Sequence, residues 1–258
     1  MSDLSVITIT FNDHEGLKNT MESLPVGSFE WIVVDGSSDE KVRLKNRDLL
    51  GELQVRLIQE PDNGRFDAMN KGLRMASRDL VSFLNGGDSF KSLDVIRKVS
   101  DSYQENKWVW SVGETSAVNL QGIKQWSWPM PSHNSMKLKL GINSYCHQAT
   151  FVERNTLLEI GGFDEDSLYS DWITSLVLSR TSKPFLLGFE TTKFLTEGVS
   201  SQQTIEYWCQ ESIKLRNRHN LVLWKMKILD RLMQNLASTF IASTRGRLIR
   251  PDLVTKYP

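Results

Sequence analysis

The chain has 258 residues, 40% hydrophobic and 24% charged, with 31 Lys+Arg matched by 31 Asp+Glu. That is the composition of a soluble globular protein with one large core or two modest ones, and no low-complexity segment occurs. Two cysteines far apart, Cys146 and Cys209, exclude a disulfide framework and a structural zinc site, and no run of 18 apolar residues is available to span a membrane.

Residues 6–11 form a β-branched run of strand length. Asn12 and Glu15 have the spacing of a capping box and open a helix through Leu17, Met21 and Leu24. Residues 29–34 predict a second buried strand, ending at Asp35-Gly36-Ser37-Ser38-Asp39, and residues 40–50 a helix. A third strand follows at 55–58, a helix at 65–76 and a fourth strand at 80–84. These strands are continuous apolar runs without period-2 alternation, which predicts a mostly parallel sheet covered on both faces. Ligands of such sheets lie beyond the carboxyl ends of the strands, where Thr10, Asp35, Glu60 and the 85–88 turn converge.

Further along, the pattern predicts a helix at 93–103, a strand at 108–112, loops or hairpins over 114–146, and a strand at 148–152. A helix at 153–160, a Gly161-Gly162-Phe163-Asp164 turn, a helix at 171–179 and a strand at 185–189 follow. The last sixty residues read as helical, with an apolar stripe through Val222, Met226, Leu229, Met233, Leu236 and Phe240. Charge divides along the same line. Residues 1–200 hold 21 Lys+Arg against 27 Asp+Glu, and residues 201–258 hold 10 against 4. The reading is a domain over 1–200 with a basic helical extension over 201–258. That extension either faces an anionic membrane or a twin subunit, or is a solvated face packed on the body. With no basic leader and no long apolar segment after Met1, the expectation is a cytoplasmic protein, peripheral to a membrane at most, with no nucleic-acid partner.

Four constellations carry chemistry. Asp35, at a strand end, suits either a base N–H and ribose hydroxyl or the cap of the next helix. Glu60-Pro61-Asp62-Asn63-Gly64 is a turn by composition, and the helix start after Gly64 suits a diphosphate. Asp67 and Asn70 share a face of that helix, and Lys71 pairs with Asp67 as an alternative to any ligand role. Asn85-Gly86-Gly87-Asp88 offers one carboxylate, Asp88, in a glycine turn with room for phosphates, a pattern that suits Mg²⁺ or Mn²⁺. Asp171, beside Trp172 at a helix start, is either an N-cap or a general base. His147 is a candidate for the acceptor side or a satisfied core residue. The combination points to sugar transfer from an activated nucleotide.

Five segments together resemble glycosyltransferase family 2, of the GT-A fold. They are Val6 to Asn12, Trp31 to Asp39, Glu60 to Gly72, Phe83 to Asp88, and Gly161 to Glu165 with Ser170-Asp171-Trp172. Glu60 to Gly72 is similar to the "EPDxGxYDAMNKG" form of bacterial exopolysaccharide, O-antigen and colanic acid transferases, and Phe83 to Asp88 to "FLNAGD". The resemblance implies an α/β GT-A fold over roughly residues 4–200. It implies Thr10 and Phe11 at base and ribose, Asp35 on the base, Asp88 on the metal with Asn85 beside it, and Asp171 as the base of an inverting displacement. The residues themselves add Asn63, Gly64, Asp67, Asn70 and Asn85 as candidates around the nucleotide-sugar, and His147 and Trp172 as candidates for the acceptor side. Asn85 and Ser170 replace common acids, and Arg65-Phe66 stands where close relatives have Ile-Tyr. Asn85 and Ser170 are the features that favour the alternative, a non-catalytic nucleotide- or sugar-binding module on the same fold.

Overall fold

In a computed structural model, the described residues are 2–25, 27–51, 53–119, 121–128, 138–139, 145–196 and 205–221, with isolated positions between 228 and 239. The chain divides into two units, residues 1–132 with 145–198, and residues 133–144 with 199–258.

The first unit opens with β1 (Leu4–Thr10), α1 (His14–Glu22), β2 (Glu30–Asp35), α2 (Glu40–Leu50), β3 (Val55–Gln59), α3 (Arg65–Met75) and β4 (Leu80–Phe83). It continues with β5 (Ser89–Phe90), α4 (Val95–Asn106), β6 (Trp110–Val118) and β7 (Lys124–Trp128). A single 3₁₀ turn at His147–Ala149 leads to β8 (Thr150–Glu153), α5 (Arg154–Glu159), α6 (Ser170–Thr181) and β9 (Phe185–Leu195). The strands form one sheet in the order β3-β2-β1-β4-β8-β6-β9-β5, with β7 on β6. β3, β2, β1 and β4 run parallel, β8 is antiparallel to β4 and β6, and β9 is parallel to β6.

Every residue of β1 and β4 is buried, as an apolar strand covered on both faces requires. Leu4, Val6, Leu17, Trp31, Val33, Leu80, Val99 and Phe151 belong to one hydrophobic cluster on this sheet. On α3, Phe66 stacks on Phe163 (ring centroids 5.5 Å), and Phe83 of β4 meets Phe163 edge-on at 4.9 Å. The apolar runs thus become the expected parallel strands with boundaries shifted by one or two residues.

Three local expectations change. The N-cap of α1 is Asp13, whose Oδ1 accepts from the Gly16 amide at 2.8 Å; Asn12 instead takes a left-handed φ of 52°. Residues 114–118 continue β6 beyond the strand expected at 108–112; they pair antiparallel with β7 as a hairpin, which the reading of 114–146 allowed, and with β9. β9 runs six residues further than the 185–189 apolar run, because Thr191 and Thr192 are buried against β6 and Thr115 Oγ1 lies 2.8 Å from Thr192 Oγ1.

In the second unit the described helix is α7 (Ile205–Arg218), where Ser212, Leu215 and Arg216 are buried and Arg216 donates to the Lys139 carbonyl at 3.2 Å. Most of the apolar stripe between 222 and 240 lies outside the described residues. Among the described residues no helix is long and apolar enough to cross a membrane.

Candidate active site

The parallel strands end on one rim. Thr10 closes β1, and its Oγ1 donates to the Asp13 carbonyl at 3.0 Å; Phe11 follows with its ring 60% exposed. Asn12 joins this rim to the loop after β2. Its amide N–H donates to Ser37 Oγ (2.8 Å), its Nδ2 to Ser38 Oγ (3.1 Å), and its Oδ1 accepts from the Asp39 amide (3.0 Å). Phe11 and Ser38 are exposed on this rim, while Ser37 is buried beneath it.

Asp35 departs from its expected role. It is fully buried, and its carboxylate accepts from the Ser37 amide (3.0 Å), Asn46 Nδ2 (3.1 Å) and Gln59 Nε2 (3.1 Å). Burial by itself raises its pKa, but these hydrogen bonds outweigh it and hold the group below the ordinary carboxylate value. Asp35 therefore ties β2, α2 and β3 together beneath the rim and exposes no oxygen to a base. Its partners Asn46 and Gln59 carry no recognisable signal in sequence.

The 60–72 segment divides in the same way. Gly64 caps α3 at a φ of +120°, a left-handed region that favours glycine, and its N–H donates to Asp62 Oδ1 at 2.9 Å. The Asn63 N–H donates to Asp67 Oδ2 at 2.9 Å, so Asp67 folds back on the turn and pairs with Lys71 at 3.3 Å. Asn70 is buried and bonds to protein on both sides: Nδ2 donates to the Phe163 carbonyl and Glu165 Oε1, each 2.8 Å, while Oδ1 accepts from the Phe163 amide at 2.9 Å. Asp67 and Asn70, expected around the ligand, instead hold the turn and the Gly161–Glu165 segment in place.

The 85–88 turn follows β4. Its Gly86 and Gly87 amides donate to the carbonyls of Ile9 and Gly16, each at 2.9 Å, seating it against β1 and α1. Asp88 points inward and is buried. Gln148 Nε2 donates to Oδ2 at 2.8 Å and the Leu195 amide to Oδ1 at 2.9 Å. Burial pushes its pKa up to about 6, against the lowering effect of those two bonds and of His147. Among the described residues it has no ion-pair partner. A buried carboxylate left uncompensated, with further lone pairs on both oxygens, is a hard-oxygen donor that fits a divalent cation completed by substrate phosphates. Gln148, which carries no signal of its own in sequence, is the residue that orients it.

Opposite this turn lies Asp171, in the first turn of α6. Its Oδ1 accepts from the Trp172 amide at 2.9 Å and its Oδ2 lies 3.2 Å from His147 Nδ1. His147 Nε2 in turn lies 3.2 Å from Asn85 Nδ2. Burial alone raises the Asp171 pKa, but the His147 hydrogen bond and charge, nearby Arg65 and the Trp172 amide outweigh it, leaving the group below the ordinary carboxylate value. The Arg65 guanidinium donates to the Leu168 carbonyl and lies over the Phe66 ring at 4.6 Å. Trp172 is 4% exposed, so its ring offers little free surface to an acceptor. The tertiary structure thus brings Asn85, His147 and Asp171 into one hydrogen-bonded row, from positions 62 and 24 residues apart. The nearby Cys146 is a buried free thiol whose pKa burial pushes up to about 12, so it is not a nucleophile.

The Glycosyl transferase family 2 model matches residues 5–158. An uncharacterized glycosyltransferase of Mycobacterium tuberculosis is 32% identical over 209 residues, 78% of each chain. A PGL/p-HBAD biosynthesis glycosyltransferase of Mycobacterium bovis is 28% identical over 177 residues, 65% of this chain and 66% of its own. Among solved structures, S. aureus TarS 1-349 in complex with UDP-GlcNAc superposes with a TM-score of 0.66 at 18% identity, covering 91% of this chain and 70% of that one. A mannosyltransferase from Pyrobaculum calidifontis, in complex with GDP-Man and Mn²⁺, gives a TM-score of 0.57 at 14% identity over 98% and 82% of the two chains. The structural likenesses establish the GT-A form of the α/β fold, and the family match spans β1 to α5, the region that builds the rim and the Asn85–Asp88 turn. The chain belongs to glycosyltransferase family 2 and is a glycosyltransferase.

Proposed function

We propose that this enzyme transfers a sugar from a nucleotide-sugar, UDP-linked, to a hydroxyl of a glycan or glycolipid acceptor in surface polysaccharide assembly, with inversion at the anomeric carbon. The observation that carries this reading is the placement of the Asp171–His147 pair across from the Asn85–Asp88 turn, at the carboxyl ends of the parallel strands. A single carboxylate-based proton acceptor facing the donor turn suits one in-line displacement, which inverts configuration. The complexes of TarS with UDP-GlcNAc and of the mannosyltransferase with GDP-Man and Mn²⁺ support a nucleotide-sugar donor and a divalent metal here.

In this reading the Phe11 ring and the Asn12–Ser37 bridge carry the base, and Gly64 lets the chain approach the diphosphate. Mn²⁺ or Mg²⁺, held by Asp88, would neutralise charge on the leaving diphosphate. The Asp171–His147 pair takes the acceptor's proton. The apolar wall of Phe83, Phe163 and Leu178 beside His147 and Asp171 limits water around the pair. We further propose that residues 1–200 form the catalytic domain and that 201–258, with 10 Lys+Arg against 4 Asp+Glu, set peripheral membrane contact or self-association. Flotation of full-length and 1–220 proteins with anionic vesicles, together with sedimentation, tests that assignment.

The deciding experiment is a panel of UDP- and GDP-sugars with Mn²⁺, scored for released nucleoside diphosphate and for the anomer formed. UDP release confined to one or a few UDP-sugars is expected. Release from GDP-sugars alone overturns the nucleotide assignment, and a retained anomer overturns the inverting mechanism.

A further inference from the structure

The Asn85–His147–Asp171 row has a direction, because its three members differ in what they can donate. A carboxylate accepts only, so the hydrogen between His147 Nδ1 and Asp171 Oδ2, 3.2 Å apart, is carried by Nδ1. In the neutral ring Nε2 then holds a lone pair, and it faces Asn85 Nδ2, a donor, at 3.2 Å. One tautomer satisfies both contacts. It leaves the accepting nitrogen of His147 aimed at the turn that carries Asn85 and Asp88, and its protonated nitrogen against Asp171.

We propose that His147 Nε2 receives the acceptor's proton, and that Asp171 is the positioning residue that holds the ring and stabilises the imidazolium. This inference rests on the reading of the site as a nucleotide-sugar transferase. Two observations favour the imidazole over direct transfer to the carboxylate. Asp171 meets the ring at Nδ1 and the Trp172 amide at 2.9 Å, so it is Nε2 that ends the row at the Asn85–Asp88 turn. The Asn85 amide that covers Nε2 is loosely held: its Oδ1 is buried with no hydrogen-bond partner among the described residues, and the 3.2 Å contact is long. An acceptor hydroxyl replaces Asn85 on Nε2 without breaking a satisfied network. The charged groups facing the ring are Asp171 from α6, Arg65 of α3 through Asp171, and Asp88 from the turn after β4.

The step balances. The acceptor O–H bond breaks, its oxygen bonds to the anomeric carbon, and the bond from that carbon to the diphosphate oxygen breaks. The nucleoside diphosphate leaves with that electron pair, and the proton moves to Nε2. The resulting imidazolium donates through Nδ1 to Asp171, the arrangement by which a carboxylate supports a histidine base.

The test combines a spectroscopic readout with kinetics on the full chain. Imidazole ¹⁵N shifts at pH 7.5, with His147 assigned by its loss in His147→Gln, are expected to show Nδ1 protonated and Nε2 bare. In Asp171→Asn the ring is expected to shift toward the Nε2–H form. UDP release from UDP-N-acetylglucosamine and other UDP-sugars with Mn²⁺ should fall by about 10²–10⁴ in His147→Gln, with donor KM unchanged. Free imidazole should restore part of the rate in His147→Gly. A protonated Nε2 in the wild type overturns the proposal. So does near-normal turnover in His147→Gln beside an inactive Asp171→Asn, which leaves the transferase reading intact with Asp171 as the direct base. If no UDP-sugar is consumed by the wild type, the donor reading falls, and the tautomer alone still decides whether His147 is poised as an acceptor.

Discussion

Asn70 of α3 pairs with Phe163 through both halves of its amide, donating to the carbonyl at 2.8 Å and accepting from the N–H at 2.9 Å. A side chain thereby satisfies a loop backbone as a neighbouring strand would, and fixes the Gly161–Glu165 segment shortly before the Asp171 helix. Replacing Asn70 with Ala leaves a buried N–H and C=O unpaired, at a cost of about 2–4 kcal/mol. Denaturant unfolding measures that cost. Asn70→Asp should be no milder, because it loses both donor bonds and sets a second carboxylate beside Glu165.

Gly162 is a second sensitive point on the same staple. Its φ is +71°, and a Cβ there would lie 2.5 Å from Asn70 Oδ1. Gly162→Ala should cost about 1–3 kcal/mol from the backbone alone, with the contact adding to it. A melting temperature equal to the wild type would show that the segment relaxes freely.

Asp35 should make the fold acid-sensitive. Its folded pKa lies below the ordinary 3.8, so its contribution is present above that value and is lost as pH falls through the folded one. Asp35→Asn should be less stable than wild type at pH 7 by about 1–3 kcal/mol. The gap should narrow on acidification below about pH 4, as followed by urea unfolding across pH. A constant gap would assign the loss to packing.

Asp88 should couple metal to nucleotide. Asp88→Asn keeps the side chain's shape and an oxygen for one of its two donors, and should lower Mn²⁺-dependent UDP affinity by about tenfold or more, the loss that removing even an outer partner of a metal site can bring. Calorimetry with UDP, with and without Mn²⁺, measures it. Asp88→Ala is the poorer test, because it also strands Gln148 Nε2 and the Leu195 amide and so destabilises the protein. Equal affinity in wild type and Asp88→Asn would remove Asp88 from the metal site.

The sequence by itself determined the α/β architecture and the rim. Trp31 to Val34 is apolar throughout, and Val6 to Thr10 and Leu80 to Phe83 are interrupted only by Thr8, Thr10 and Ser82, small residues that a strand covered on both faces buries along with its apolar ones. The same logic placed Thr10, Asp35, Gly64 and Asn85 at strand or turn ends, because local chain direction alone sets where a strand stops. What the tertiary structure decided is the direction in which each polar side chain faces. Asp35, Asp67 and Asn70 look like ligand groups in sequence, yet they bond to Asn46, Asn63 and Phe163. Burial leaves a polar group few choices besides the nearest donor or acceptor, and that neighbour comes from another element. Trp172 is buried as well. His147 and Asp171 show the converse: an ordinary histidine and a helix-start carboxylate become a directional pair only because the 3₁₀ turn before β8 and the start of α6 meet behind Asn85.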